Sequence, residues 1–384
     1  MSRRRTFAAA MTLAACVLLA LLSAGCGEKI AVPHAQGLFS VAAWLDDAQF
    51  ADDGARQIAQ AFGGLFVVSA DSLIKRDLEY NQIAGAGGLT DATAVCVDPA
   101  GQVVFVWDQG TRELKWYSVS DLALLGSANL PAVQSARALA ANLAGIDQAP
   151  GARTFVYLAD PDSAVVHRYA FDDFNGPTAH GILTRSEGIG ARSVHEPWGM
   201  ATDSGGMMVV CDADTLRNWV VRFDGTPDLE DTAPAGQSAP MRGTAVTFEV
   251  TCEPPAATDF VLGDAAICAQ SDWVGGPSSE PGLFRAPTAV SVDGSGRIFV
   301  ADTGNNRVGV FTVDGHYLLQ FGDSGSCPTP ASLALVDIRV GTGAADVDYA
   351  AYAFIVTPGT GQVRRFISSE HYIYIHREPP PVIP

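Results

Sequence analysis

Aspartates recur in this chain at positions where a carboxylate could hold a metal or close a turn. Asp71, Asp108, Asp160, Asp212 and Asp302 each follow an apolar run. Nine residues later comes an aromatic: Tyr80, Tyr117, Tyr169 or Phe311; Asp212 reaches Phe223 with two extra residues, and a sixth copy has Thr357 and Phe366. Asp160-Pro-Asp162 and Asp212-Ala-Asp214 pair carboxylates at a spacing that, with other oxygens, could bind Ca²⁺. An acidic side chain at the start of a turn can equally accept the turn's amides, with no further chemistry. The seven histidines, at 34, 167, 180, 195, 316, 371 and 376, form no two-histidine helical metal motif, and there is no Gly-x-Ser-x-Gly elbow. Asp46-Asp47 and Asp52-Asp53-Gly54 lack EF-hand spacing and read as a solvated acidic loop.

The elements that carry these aspartates repeat with them. Each copy is an apolar β-branched strand, a polar turn, then a strand ending on an aromatic. Upstream, Asp98-x-x-Gly101, Asp203-x-x-Gly206 and Asp293-x-x-Gly296 follow further apolar runs and mark a hairpin. With a last strand such as Tyr317–Phe321 the unit has four strands. Four-strand units in series suit a β-propeller, in which each blade buries its faces against its neighbours. Glycine (39) and proline (22) are abundant, as many tight turns require, and 48% apolar with 17% charged residues supplies a large core.

Residues 284–322, FRAPTAVSVDGSGRIFVADTGNNRVGVFTVDGHYLLQFG, resemble an NHL repeat through Pro287, Asp293, Gly296, Ala301-Asp302, Asn306-Arg307, Phe311, Asp314-Gly315 and Phe321-Gly322. Residues 195–225 carry a weaker copy at Pro197-Trp198-Gly199, Asp212 and Phe223-Asp224-Gly225. The resemblance implies an all-β, six-bladed propeller of the NHL or TolB-like kind over residues 36–376, with a central channel. The long interval between Asp212 and Asp302 leaves seven blades as the alternative. Its Pro-, Gly- and Ser-rich segment 224–281 reads instead as an insertion between blades 4 and 5, stapled by a Cys252–Cys268 disulfide. Ring closure is expected to pair a segment near Leu38–Leu45 with one around Tyr372–Ile375. The Pro-rich tail 377–384 should lie outside the ring.

In such a ring, the turn after the second strand and the loop entering the next blade share the face where the channel opens. That face is expected to carry Asp71, Asp108, Asp160, Asp212, Asp214, Asn305 and Asn306 beside His195 and Trp198. Each has a structural reading as well: Trp198 as a wedge between blades, Arg307 as a strand-pairing cation. NHL-like propellers resemble amidating lyases that use zinc and histidines, and lactonases that hold a metal with Glu, Asn and Asp. Neither constellation maps onto this chain residue by residue. The expectation is a non-catalytic, monomeric binding or assembly module for a protein, peptide or glycan, with no cofactor; a Ca- or Zn-dependent lyase or lactonase is the alternative.

The first residues read Met-Ser-Arg-Arg-Arg, an apolar run Phe7–Leu22, then Ser23-Ala24-Gly25-Cys26. A basic start, an apolar stretch and small residues before a cut site make an export signal over residues 1–25. It resembles a bacterial lipoprotein signal, although Ser23 stands where leucine is usual. The resemblance implies an acylated Cys26, a tether over 26–35, anchoring in the cell envelope and, with Gly27 following, the outer membrane of a Gram-negative cell. The net charge of −18 disfavours nucleic acid as a partner. Of the remaining cysteines, Cys96 and Cys211 lie in apolar runs and read as buried thiols, and Cys327 has no assignment. Cys26→Ser is expected to abolish labelling by palmitate and to move the protein from the membrane fraction to the soluble fraction.

Overall fold

The computed structural model describes residues 43–100, 102–143, 154–172, 176–184, 196–202, 207–214, 218–224, 261–262, 279, 281–312, 317–340, 347–369 and 371. In chain order its strands are β1 (Trp44–Ala51), β2 (Gln57–Ala61), β3 (Gly64–Val68), β4 (Ser72–Arg76), β5 (Gln82–Gly87), β6 (Ala92–Val97), β7 (Val103–Asp108), β8 (Glu113–Ser118), β9 (Leu124–Asn129), β10 (Ala138–Leu143), β11 (Thr154–Asp160) and β12 (Val165–Asp172). They continue as β13 (Gly176–Thr184), β14 (Pro197–Thr202), β15 (Met207–Asp212), β16 (Trp219–Asp224), β17 (Val261–Leu262), β18 (Pro287–Val292), β19 (Ile298–Asp302), β20 (Arg307–Phe311), β21 (Tyr317–Phe321), β22 (Ser332–Val340), β23 (Val347–Thr357) and β24 (Gln362–Ser368).

Consecutive groups of four, from β2–β5 through β18–β21, each form an antiparallel sheet, and β22, β23, β24 and β1 form another. The first strands β2, β6, β10, β14, β18 and β22 touch one another in cyclic order, β22 meeting β2. The sheets therefore stand as blades around a channel, and the fold is an all-β propeller. Second strands are buried on both sides: Gly64–Val68 and Ile298–Asp302 are buried at every residue. The fourth strands face solvent on one side; β5 and β9 alternate exposed and half-buried over most of their length.

The core is therefore a set of wedges between blades. Phe105, Trp107, Leu139, Val156 and Phe171 fill one, with Phe105 and Phe171 edge-to-face. Ile58, Val67, Phe354 and Val363 fill the wedge between the last blade and the first. Gly199 sits where β14 crosses closest to β18: an added Cβ would lie 2.6 Å from both Ala289 Cα and Thr288 O. Side-chain hydrogen bonds also stitch the inner strands together. Thr93 Oγ1 donates to Ala136 O, the Val95 amide to Gln57 Oε1, and the Ile58 amide to Ser332 Oγ.

Several expectations change. Closure is made by β1 against β24, Trp44 opposite Ser368 and Ala51 opposite Gln362, because the apolar Trp44 is drawn into the last interblade wedge. Tyr372–Ile375 and residues 38–42 lie outside the described residues. Asp46 and Asp47 are not loop residues but members of β1, paired with Arg364 and Arg365; Asp52 holds Arg76 and Tyr80. The segment 224–281 is not wholly an insertion: Asp224 ends β16, and Val261–Leu262 returns as the fourth strand of its sheet. Cys252 and Cys268, and the tail 377–384, lie outside the described residues. Cys96, Cys211 and Cys327 are buried free thiols; burial pushes all three up, Cys327 to about 12, so none is a ready nucleophile.

Trp44 is 6% exposed, stacks on Phe321 at 5.0 Å and meets Phe299 edge-on at 5.5 Å. Trp44→Ala is expected to cost about 3–5 kcal/mol, read as a lowered urea midpoint, because it empties the wedge and loosens the closing strand together.

Candidate functional site

The repeated aspartates build the face on which the channel opens. Asp108 ends β7, fully buried, and accepts the amides of Thr90 and Asp91 and the ammonium of Lys115 at 2.6 Å. Asp160 accepts the amides of Gln134, Ser135 and Ser163 and the Ser163 hydroxyl, with His167 Nε2 3.5 Å away. Asp212 accepts the amides of Glu196 and Asp214. Asp302 accepts the Arg285 amide, Asn305 Nδ2 and Arg307 Nε, at 2.7, 2.7 and 2.8 Å. In each of these four blades the carboxylate at the end of the second strand grips the loop that leads into the first. Asn306 closes the turn in a left-handed conformation (φ 55°) and accepts the Thr329 amide, a position that favours asparagine over branched residues.

Five expected ligand-binding residues thus have other work. Asp108, Asp160 and Asp212 are buried and committed to these clasps, and Asn305 and Asn306 to turns. Asp71 is exposed but out of register: Gln57 pairs with Val68 where Ala94 pairs with Trp107, so Ser69, not Asp71, occupies the clasp position. Its nine-residue interval to Tyr80 is a coincidence, since Tyr80 lies beyond β4. Asp214 is half-buried on the rim beside Asp212. His195 lies outside the described residues. Trp198 alone lines the mouth. The Asp160–Asp162 pair gathers no further carboxylates, and among the described residues no group of three or more His, Cys, Asp or Glu is placed to share a metal.

The mouth is a cavity of about 350 Å³ lined by Arg56, Gln57, Asp91, Thr93, Arg137, Trp198, Thr288, Ala331 and Pro358. Six of these occupy one repeated address, the residue after a small or cyclic residue at the start of the inner strand: Ala55-Arg56, Ala92-Thr93, Ala136-Arg137, Pro197-Trp198, Pro287-Thr288 and Pro330-Ala331. In three blades a bulge between Ala92 and Ala94, Pro197 and Gly199, and Pro287 and Ala289 frees this residue from the ladder and turns it to the channel. Four residue types occupy the six positions, so composition hides the address; the Ala/Pro-x pattern was the signal that could have found it.

The electrostatics of the face are uneven. Arg56 is neutralised by Asp91 and also donates to Ala92 O. Arg137 lies over the Trp198 ring, 5.4 Å from its centroid. On the rim, burial first and then Asp214 and Asp212 push the Glu196 carboxyl up. At the opposite end of the channel a smaller cavity of about 210 Å³ is framed chiefly by alanine, valine and leucine, with Gln60, Thr202, Ser291 and Asp337 among them.

Residues 284–311, which contain β18, β19 and β20, match the NHL repeat. No curated relative matches the chain. Among solved structures, the chain is similar to selenomethionine-substituted virginiamycin B lyase from Staphylococcus aureus, with 9% identity, a TM-score of 0.46, and coverage of 83% of this chain and 98% of that one. It is similar to a streptogramin B lyase (10%, 0.49, 85% and 97%) and to Kuenenia stuttgartiensis hydrazine synthase (9%, 0.48, 84% and 97%).

The clasps predict an acid response. Burial alone would raise Asp108 and Asp160, but Lys115 with the Asp91 and Thr90 amides, and His167 with Gln134 and Ser163, outweigh it and hold both below the ordinary 3.8. Their stabilisation is complete above 3.8 and is lost as pH falls through the depressed folded values. Asp302 has the opposite sign: burial outweighs its partners and raises it, so its contribution declines as pH climbs from 3.8 through the raised value. In urea midpoints measured from about pH 3 to pH 6, Asp108→Asn should flatten the acid limb, and Asp302→Asn should remove a decline above 3.8.

Proposed function

We propose that this chain is a six-bladed propeller, lipid-anchored to the cell envelope through Cys26, that acts as a non-catalytic binding or assembly module for a protein, peptide or glycan. The observation that carries the reading is the ring of six equivalent positions around the mouth. Thr93 and Thr288 spend their hydroxyls on interblade bonds, to Ala136 O and to Pro330 O. Gln57 is committed at both ends, to the Val95 amide and to Arg137 O. What faces a ligand is the Trp198 ring, the Arg137 guanidinium and the hydrocarbon of Thr93, Thr288, Ala331 and Pro358. That is a recognition surface on a rigid frame, of the size and mixed polarity that small binding sites have. Asp91 is the one carboxylate among the described lining residues, and it is paired with Arg56.

Ala331→Trp would fill the mouth from the smallest of its lining side chains. Immobilised full-length protein carrying it should lose whatever the unsubstituted protein captures from envelope extracts, with an unchanged melting temperature. Capture that survives the plug would move the binding surface elsewhere. Stoichiometric zinc or calcium in the purified protein, with a melting temperature that falls on chelation, would instead favour the metal-dependent lyase or lactonase reading.

A further inference from the structure

Arg137 stands exposed at the mouth of a strongly acidic protein without a carboxylate beside it. The chain carries a net charge of −18, and most of its buried or half-buried cations are paired with carboxylates. Arg307 is on Asp302, Lys115 on Asp108, Arg297 on Asp293, Arg76 on Asp52, and Arg364 and Arg365 on Asp46 and Asp47. Arg56, across the mouth, has Asp91. Among the described residues the Arg137 guanidinium has neither a carboxylate nor a hydrogen-bond acceptor; its one contact is the face of Trp198.

That contact decides what the group is fit for. A guanidinium lying over an indole has one face covered, while its N–H donors point outward in its own plane. The contact narrows the rotamers open to this exposed cation without using any of its donors. A planar fork of donors held in this way matches the two oxygens of a carboxylate, in a bidentate pair stronger than a neutral hydrogen bond. In the rest of the lining, Thr93 and Thr288 with Ala331 and Pro358 offer apolar contact beside Gln57 and the Arg56–Asp91 pair.

We infer that the channel mouth is a carboxylate site: Arg137, braced on Trp198, binds the carboxylate of a ligand whose adjoining apolar group packs against Trp198 and the small residues of the ring. This rests on the reading of the mouth as a binding surface and names its ligand class. The carboxylate could belong to a small organic acid or to the C-terminus of a peptide; the chemistry is the same, and the cavity admits either a whole small acid or the last residue of a chain.

The test uses full-length protein in non-ionic detergent and titration calorimetry with three probes: N-acetyl-phenylalanine, its carboxamide, and a capped alanine peptide ending in phenylalanine with a free C-terminus. At least one carboxylate probe should bind, at least tenfold more tightly than the carboxamide, and the tighter of the two names the source. Arg137→Gln should abolish that preference while leaving carboxamide binding unchanged, and Trp198→Leu should weaken every probe. Arg112→Gln, an exposed arginine on a turn of the same face, should change nothing. The inference is overturned if acid and amide bind alike, if no probe binds, or if Arg112→Gln loses as much as Arg137→Gln. If Ala331→Trp abolishes capture from extracts while Arg137→Gln spares it, the mouth remains a binding surface but its ligand is not a carboxylate.

Discussion

The propeller depends on a buried carboxylate at the end of the second strand of four of its blades. A blade on its own is a twisted four-stranded sheet with two apolar faces, and nothing in that sheet sets the angle at which the next one begins. The carboxylates of Asp108, Asp160, Asp212 and Asp302 set it by accepting amides from the loop that leads into the first strand of the same blade. The loop has arrived from the preceding blade, so the bond fixes one blade's inner strand relative to the last one's outer strand. Removing such an acceptor from a buried site leaves several amides unmatched, which costs more than the bond itself contributes.

The same arrangement explains why the acids are poor candidates for chemistry. Each is spent on two or more donors, and three have a lysine, histidine or arginine beside them from the strand that follows. The last blade replaces the carboxylate by Thr357, whose hydroxyl donates to Gln362 O and pairs with Thr360. The first blade has Ser69 there. These two unusual blades are the ones joined at the closure, where β1 and β24 supply pairing across the ends of the chain and the ion pairs of Arg364 and Arg365 reinforce it.

Much of this was legible from residue order. Strand, hairpin, strand, turn and strand recur with aspartate and aromatic in place, and Asn306-Arg307 behaves in the structure as a turn closer and a strand-pairing cation. What misled was spacing without register. Asp71 and Tyr80 have the right interval, yet one follows the clasp position and the other lies past the strand. The mouth was hidden for a different reason. Its six residues share an address rather than a type, since a position aimed into a channel is under no packing constraint that would make arginine, threonine, tryptophan and alanine look alike. Closure was expected near Leu38–Leu45; the strand that makes it, β1, begins at Trp44 and runs on to Ala51, because the residue order does not show which wedge that tryptophan fills.

The pairing of β1 with β24 joins residues that lie 318 positions apart in the chain at Asp46–Arg364. Contacts of that separation form late, because loop-closure entropy must be overcome before they contribute anything. During synthesis the five blades from Gln57 to Phe321 can assemble one after another as they emerge, each on the face of its predecessor. Throughout that time β1 waits as an unpaired edge carrying an exposed Trp44, a template for any other strand in reach. The last strand of the propeller to be made is therefore the one that conceals β1, and a chain that stopped before Gln362 would leave β23 and β1 without the strand that joins them.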